Sequence, residues 1–580
     1  MKTKHLKEIT ALIDRRQFRL ITAPNSGLVI DQSGAGSSKT TIALLRLAYL
    51  NFQDPRRFRP DRMLVVVFNS ALARYISQVL PALGIEGIAI RTYEAWAERI
   101  REVQLPSVPN RYSEDTPAVV TRWKKHPAML AAIDEHTSRL AEKFERKLAK
   151  ALGPDAGESA PIETFRRAPA RPLAHRVHSV GAWLEKNGRA LPTDARVGAE
   201  RAVREGLREA RDVVGAWADL VSDADAVRRV FSQHAPGAFS EADLRRVHNW
   251  CTAHAHQLVH HLELLADGHA GEGRAPSDGA ETTEGGETDD AEESLRHGID
   301  GRELEEHVHL DREDDALLLR LCQRMRGPLM RNVKGKEALV YEHVLVDEAQ
   351  DLSPVELAVV LDTVSQARSV TLAGDVAQRL LMDNGFSDWK TVLGELGLSH
   401  VEVEPLRLAY RSTQEIIDFA RDVLGPLAPK DAPAATRRGA PVDLFVFAHA
   451  GDAVGFLGEA LRELMRAEPR ASVAVIARFA EQADAYYDGL KKAEVPFLRR
   501  IADQDFPFRA GIDVTDVRQV KGLEFDYVVL VEVGDASYPD EEEARHLLHI
   551  GATRAAHQLW IVASGKPSTL LPDELRNRGY

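Results

Sequence analysis

The apolar positions of this chain fall into two kinds of pattern. Short continuous runs, LVID at 28–31, MLVVVF at 63–68, HVLV at 343–346 and SVTLAG at 369–374, are rich in β-branched residues and too short for buried helices. Such runs read as strands covered on both faces, as in a parallel sheet. The first is followed by a glycine-bearing turn and then by TTIALLRLAYL, a helical stretch. That order predicts a strand, a loop and a helix. A second set of runs, VDLFVF, SVAVIA and DYVVLVEV, lies beyond residue 401 and predicts another α/β unit.

Between these units the pattern changes. Residues 113–266 are rich in Arg, Ala, Leu and Glu, carry Trp123, Trp183, Trp217 and Trp250, and contain few strand-like runs. They predict a helical insertion, an accessory domain within the first unit. Residues 267–294 hold almost no large apolar side chain, so burial cannot offset the entropy of ordering them. The expected organisation is a first unit at 1–112 and 305–400, the insertion at 113–266, an acidic flexible linker at 267–304 and a second unit at 401–580.

Length and charge sharpen this. At 580 residues and 44% hydrophobic, the chain needs several cores. Its net charge of -13 suggests at first a protein that avoids polyanions. However, the segment 267–315 alone carries 18 acidic residues against four arginines, so the rest of the chain is close to neutral and a basic groove is compatible with it. With two cysteines, Cys251 and Cys322, neither a disulfide framework nor a cysteine zinc cluster is expected, and a reducing, cytoplasmic setting is. No apolar run approaches the ~20 residues of a membrane span, so no membrane anchor is expected.

The turn after the first strand reads Ser33-Gly34-Ala35-Gly36-Ser37-Ser38-Lys39-Thr40. Small residues between a strand and a helix let backbone N–H groups approach phosphates, with Lys39 reaching the β- and γ-phosphates and the Thr40 hydroxyl placed for Mg2+. Ser33 and Ser38 stand where such loops usually have glycine. The run HVLV leads into Asp347-Glu348-Ala349-Gln350-Asp351, two adjacent carboxylates at the end of a buried strand, where open α/β sheets bind ligands. Asp347 is placed to hold the metal and Glu348 to orient and deprotonate a water.

The P-loop and DEAQD together resemble superfamily 1 helicases of the UvrD/Rep/PcrA type, and the other motifs of that family follow in order. Ile13 to Gln17 is similar to its Q motif, whose glutamine reads adenine. Gly374-Asp375-Val376-Ala377-Gln378 is similar to the motif whose glutamine senses the γ-phosphate. Ala409-Tyr410-Arg411-Ser412-Thr413 resembles YRST, which implies Tyr410 near the adenine and Arg411 as an arginine finger. Lys521-Gly522-Leu523-Glu524-Phe525 matches KGLEF, which implies Glu524 near the ribose and Gly522 among the ATP-binding residues. Gly551 to Ala555 resembles VTRA, with Arg554 as a second finger. The resemblance implies two RecA-like P-loop motor lobes with a large helical insertion in the first. It implies ATP and Mg2+ as ligands, with Gly34 to Thr41, Thr41 included, around the phosphates. Both arginines are expected to face solvent in the cleft between the lobes.

The strand-binding face is less regular. Phe68-Asn69 and Thr92-Tyr93 stand where the family contacts single-stranded DNA, Arg518 takes the place of its histidine, and Trp389 arrives later than the family's base-stacking tryptophan, with packing in a helix interface favoured over base stacking because tryptophan is mostly buried. The large accessory domain that precedes KGLEF in the family has no counterpart here. The implied function is an ATP-dependent translocase or helicase on single-stranded DNA, with 3′ to 5′ polarity by resemblance. A role as motor subunit beside a nuclease or other protein partner, in repair or anti-phage defence, is compatible with it. Two alternatives stay open at this point: a remodeller of RNA polymerase resembling HelD, and a nucleotide sensor that does not unwind.

Overall fold

The computed structural model describes residues 15–23, 27–32, 39–153, 159–271, 308–335, 337–379, 384–399, 401–406, 408–409, 412–429 and 434–578. The chain forms two parallel sheets, each flanked by helices. The first contains β1 (Leu28–Gln32), β2 (Met63–Val67), β3 (Ala89–Thr92), β4 (His343–Val346), β5 (Val370–Gly374) and β6 (Glu402–Leu406), in the order β3-β2-β4-β5-β1-β6. Every strand pair in it is parallel. All side chains of β2, β4 and β5 are buried, which is why these segments lack polar alternation.

The short pair β7 (Leu408–Ala409) and β8 (Ala434–Ala435) precedes the second sheet. That sheet holds β9 (Asp443–Phe447), β10 (Ser472–Ala477), β11 (Leu498–Arg500), β12 (Gly511–Asp516), β13 (Phe525–Leu530) and β14 (Ala555–Ser564), in the order β11-β12-β10-β13-β14-β9. It too is parallel throughout. Two parallel sheets with helices on their faces are the pair of RecA-like lobes expected from the motifs.

Parallel strands present all their C-terminal ends on one edge of a sheet. In the first lobe that edge collects the chain after β1, Phe68 after β2, Asp347 after β4 and Asp375 after β5. Parallel neighbours also need a crossover, usually a helix. Between β12 and β13, which flank β10, the chain passes through the short segment 517–524, whose Val517, Val520 and Leu523 pack in the second-lobe core while Lys521 reaches the first lobe.

Two expected boundaries shift. Glu402–Leu406 pairs with β1, Leu28 against Glu402, and so completes the first sheet although the second unit was expected from residue 401. It was missed because EVEPL has exposed and half-buried positions and a proline, a composition suited to an edge strand. The helix Glu241–Gly271 also runs into the span read as linker, while 272–307 lie outside the described residues.

Among the described residues between β3 and β4 there is no strand, only helices and isolated bridges. The inner helices of this insertion share one core with the first sheet: Trp123, Trp217 and Phe231 belong to the same cluster as Val66 and Leu372. A separate outer cluster centres on Phe144 and Phe165, ring centroids 4.8 Å apart. Buried charge joins the insertion to the chain that returns to β4. The Lys124 ammonium donates to Asp311 and to Asp314, each at 2.6 Å, and the indoles of Trp217 and Trp250 donate to the same carboxylates.

Candidate nucleotide site and strand-binding face

The helix Lys39–Gln53 begins at the C-terminal edge of the first sheet, and its first two residues face the end of β4. The Thr40 hydroxyl donates to Asp347 Oδ2 at 2.7 Å. The Lys39 ammonium is buried, 3.7 Å from Glu348 Oε1 and 4.0 Å from Asp375 Oδ2, and has no hydrogen-bond acceptor among the described residues. Burial opposes its charge, but Glu348, Asp375 and Asp347 outweigh that and hold its pKa above the ordinary lysine value. A buried, fully charged ammonium with unused donors suits a phosphate. Gly34, Ala35, Gly36, Ser37 and Ser38, the loop that would supply backbone donors, lie outside the described residues, as do Tyr410 and Arg411.

The paired carboxylates have diverged in character. Burial and the neighbouring Glu348 push Asp347 up to about 6, against the Thr40 hydrogen bond and Lys39. For Glu348 burial acts upward as well, yet Lys39, Lys521, Gln350 and Arg554 outweigh it and bring the group down to about 2. Glu348 sits in the left-handed region at φ 53, a backbone strain of the kind that clusters at functional sites. Gln350 Nε2 donates to Glu348 Oε2 at 2.7 Å and its Oε1 accepts from Asp375 N at 3.0 Å, so this glutamine ties the end of β4 to the end of β5. No group of three or more His, Cys, Asp or Glu suited to a metal occurs among the described residues. A hydroxyl and one carboxylate do fit Mg2+, which keeps waters and takes substrate phosphate oxygens.

Among the described residues, the second lobe enters this site through Arg554 and Lys521. Arg554, just before β14, donates from Nη2 to Gln378 Oε1 at 2.6 Å, and its other donors go to Ile550 O, Leu523 O and Thr553 Oγ1. It is 5% exposed, which corrects the expectation of a solvent-facing arginine: the backbone around it is wrapped to hold the fork. Burial lowers its pKa, with Glu348 and Asp375 acting the other way. Lys521, with no exposed surface, makes an ion pair with Asp351, donates to Gln378 O at 2.5 Å and lies 3.9 Å from Glu348 Oε2. Neither Lys521, Gln350, Asp351 nor Asp375 was assigned a role from sequence, although all four stand inside the quoted motifs. Gly522 has φ 78, and a Cβ there would lie 3.2 Å from Leu72 of the first lobe, so a close approach requires glycine.

Other expected nucleotide contacts are more dispersed. Gln17 is buried on the helix Arg15–Thr22, which packs beside Lys39–Gln53. Glu524 is exposed at the entry to β13. Thr41 is half-buried on the first turn of the P-loop helix.

On the strand-binding face the structure separates the expected residues. Phe68 is half-buried, with Lys521 Nζ 5.1 Å from its ring centroid, and Arg518 is exposed and paired only at the surface with Glu543 at 3.1 Å. Two expectations are corrected, those for Tyr93 and Asn69, while Trp389 takes the packing role weighed against base stacking. Tyr93 is 7% exposed and belongs to the first-lobe core beside Trp96, because it opens an amphipathic helix with its ring inward. Trp389 is 4% exposed, edge-on to Phe386 at 5.0 Å, and packs over Gly374, where a Cβ would lie 2.5 Å from its ring. Neither ring is presented to a base. Asn69 is buried too: it caps the helix Ser70–Val79 through Leu72 N and donates to Lys521 O at 3.0 Å, joining the lobes. Thr92 caps the helix Tyr93–Gln104 by accepting from Ala95 N at 3.2 Å.

A P-loop helix, a DE pair at the end of β4 and an arginine from a second parallel-sheet lobe define a two-lobed P-loop NTPase. The UvrD/REP helicase N-terminal domain family matches residues 13–380, well over half of the chain, and the UvrD-like helicase C-terminal domain family matches residues 511–562. The chain belongs to the UvrD/REP helicase family. Members of this family are DNA helicases that use ATP with Mg2+. Among solved structures, the C-terminal domain of a possible DNA helicase from Lactobacillus plantarum WCFS1 is 27% identical, covering 29% of this chain and 96% of that one, with a TM-score of 0.25. No curated protein matches the chain. No helix among the described residues is long and apolar enough to cross a membrane.

Proposed function

We propose that the chain is an ATP-driven translocase on single-stranded DNA whose hydrolytic site is completed by the second lobe. The observation that carries this reading is the 2.6 Å bond from Arg554 to Gln378, which brings a cation of the second lobe beside the carboxylates of the first. Lys39 engages the β- and γ-phosphates, and Thr40 and Asp347 would hold Mg2+, which would supply charge neutralisation on the phosphates. Glu348 orients the attacking water and takes its proton. The water oxygen bonds to the γ-phosphorus as the bond to the bridging oxygen breaks, leaving ADP and phosphate. Lys39 is the largest of the charges that hold Glu348 below its ordinary range, and a phosphate that engages Lys39 offsets that charge and raises the basicity of the carboxylate. Arg554, joined by Arg411, then stabilises charge on the transferring group. Gln17 and Tyr410 read the adenine, and Gly522 and Glu524 the ribose.

Movement follows if lobe closure and strand binding favour the same state. Phe68 lies against Lys521 and Arg518 stands three residues before it, so a strand across them acts on the segment that also touches Glu348 and Gln378. A polarity of 3′ to 5′ is the reading carried by the family likeness. The test is ATPase rate against concentration of single-stranded DNA, single-stranded RNA and duplex, with streptavidin displacement from 3′- or 5′-biotinylated oligonucleotides to fix direction. Stimulation by single-stranded DNA and displacement at the 5′ end support the proposal. A single rate whatever nucleic acid is present would overturn it.

A further inference from the structure

Arg46 lies on the P-loop helix about two turns beyond Lys39 and has no exposed surface. Its Nη1 donates to the carbonyls of Leu20 at 3.0 Å, Ile21 at 3.4 Å and Ala23 at 2.8 Å, and its Nε donates to Thr371 Oγ1 at 3.2 Å. The first two carbonyls close the C-terminal end of the helix Arg15–Thr22, where the last C=O groups have no partner within the helix, and Ala23 follows it. A cation there also complements the helix dipole. Burial brings the guanidinium down to about 10, which leaves it charged at neutral pH. Thr371 belongs to β5 and pairs with Leu28 of β1, so the fork grips a helix from one side and the sheet from the other.

A helix of eight residues is not held in place by its own hydrogen bonds. Its position must come from packing and from whatever grips its end. This one carries Gln17 near its start, whereas the helix that carries Arg46 opens with Lys39 and Thr40. A buried arginine that satisfies stray carbonyls would ordinarily serve stability alone. Here, however, the two elements it joins address opposite ends of one nucleotide.

We propose that Arg46 is a positioning residue for base selectivity: it sets the Gln17 helix against the Lys39 and Thr40 helix, so that the adenine and the phosphates are read at one fixed spacing. The inference rests on the roles given above to Gln17 and Lys39. Loosening the fork therefore loses the base end of recognition and spares the phosphate end.

The experiment compares wild type, Arg46→Gln, Arg46→Lys, Gln17→Ala and the double variant Gln17→Ala/Arg46→Gln. ATP and GTP serve as substrates, and inorganic tripolyphosphate serves as a competitive inhibitor. Arg46→Gln should raise KM for ATP about tenfold and bring the preference for ATP over GTP down to that of Gln17→Ala, with kcat and tripolyphosphate inhibition within about twofold of wild type. The double variant should be no worse than Gln17→Ala alone, since both remove one function. A proportional loss on ATP, GTP and tripolyphosphate, or an unchanged preference for ATP, overturns the proposal. If the glutamine variant does not fold, Arg46→Lys decides: it keeps the charge without the fork, and the same split at about threefold is required of it. A wild type that does not prefer ATP over GTP overturns the reading of Gln17 beneath the proposal, a failure visible before any substitution is made.

Discussion

Arg554 and Gln378 meet at 2.6 Å, one rooted at the start of β14 in the second sheet and the other just past the end of β5 in the first. The arginine is held for this contact by Ile550 O, Leu523 O and Thr553 Oγ1, which fix the direction of its fork. Preset charge needs no reorganisation when charge develops in a transition state. Because Arg554 belongs to the second lobe and Lys39 and Glu348 to the first, a change in lobe spacing would move the arginine relative to both.

Arg554→Ala is expected to lower kcat by about three decades or more, as loss of an arginine finger does. Because the side chain is buried and bonded, the same change leaves acceptors unpaired and should cost about 1–3 kcal/mol of stability. Arg554→Lys keeps a charge and should retain more stability than activity. Steady-state kinetics and thermal melting on the two variants check both halves. A fall in kcat of less than tenfold would remove the finger assignment.

Lys39→Ala and Glu348→Gln should both abolish turnover and differ in binding. Removing Lys39 takes away the cation between Glu348 and Asp375 and should weaken ATP binding, whereas Glu348→Gln removes the group that positions water and keeps the phosphate contacts. Titration with a fluorescent ATP analogue distinguishes them. Near-normal turnover in Glu348→Gln would refute its role.

Arg518 is exposed and its bond to Glu543 is a surface pair, so Arg518→Ala should change stability by less than about 0.5 kcal/mol. If it grips a phosphate, the slope of log affinity against log salt for single-stranded DNA should fall by about 0.7. Fluorescence anisotropy across a salt series measures this. An unchanged slope excludes Arg518 from the strand path.

Lys124→Met should destabilise the first lobe by about 3–5 kcal/mol, because Asp311 and Asp314 would keep buried charge without their cation. Denaturant unfolding gives the value. A loss below about 1 kcal/mol would mean that the carboxylates find water or another partner.

His343 lies on β4 with Nδ1 against Ser369 Oγ at 2.8 Å and Nε2 against Thr371 Oγ1 at 3.2 Å. Burial first, then Arg46 and Arg57, bring it down to about 3. Between about pH 6.5 and 3 the unfolded chain then binds the proton that the folded chain refuses, so stability falls as pH falls through that window. Relative to His343→Gln, wild type should lose on the order of 2 kcal/mol between pH 7 and 5. Urea unfolding of both at the two pH values tests the sign and the size.

The clearest parts of the fold in the sequence were those whose residues answer to a single local demand. Strands such as MLVVV and SVAVIA are buried on both faces, so each position had to be apolar, and a P-loop helix needs Lys39 and Thr40 at its start. The edge strands β3, β6 and β11 passed unseen because exposure removes the apolar demand, and the interior strands β12 and β14 because Asp513, Thr515, His557 and Gln558 interrupt their apolar runs.

By itself, then, the order and chemistry of the motifs determined the family, the two parallel-sheet lobes and the helical insertion, and named the candidates for the nucleotide site. Tertiary structure alone decided which of the aromatic and polar candidates are accessible. Tyr93 and Trp389 are core residues, Asn69 and Arg554 are buried at the lobe junction, and Lys521 reaches Asp351 across it. The reason is physical: a motif constrains residue type at one point of the chain, whereas burial and charge pairing depend on which distant segment packs against it.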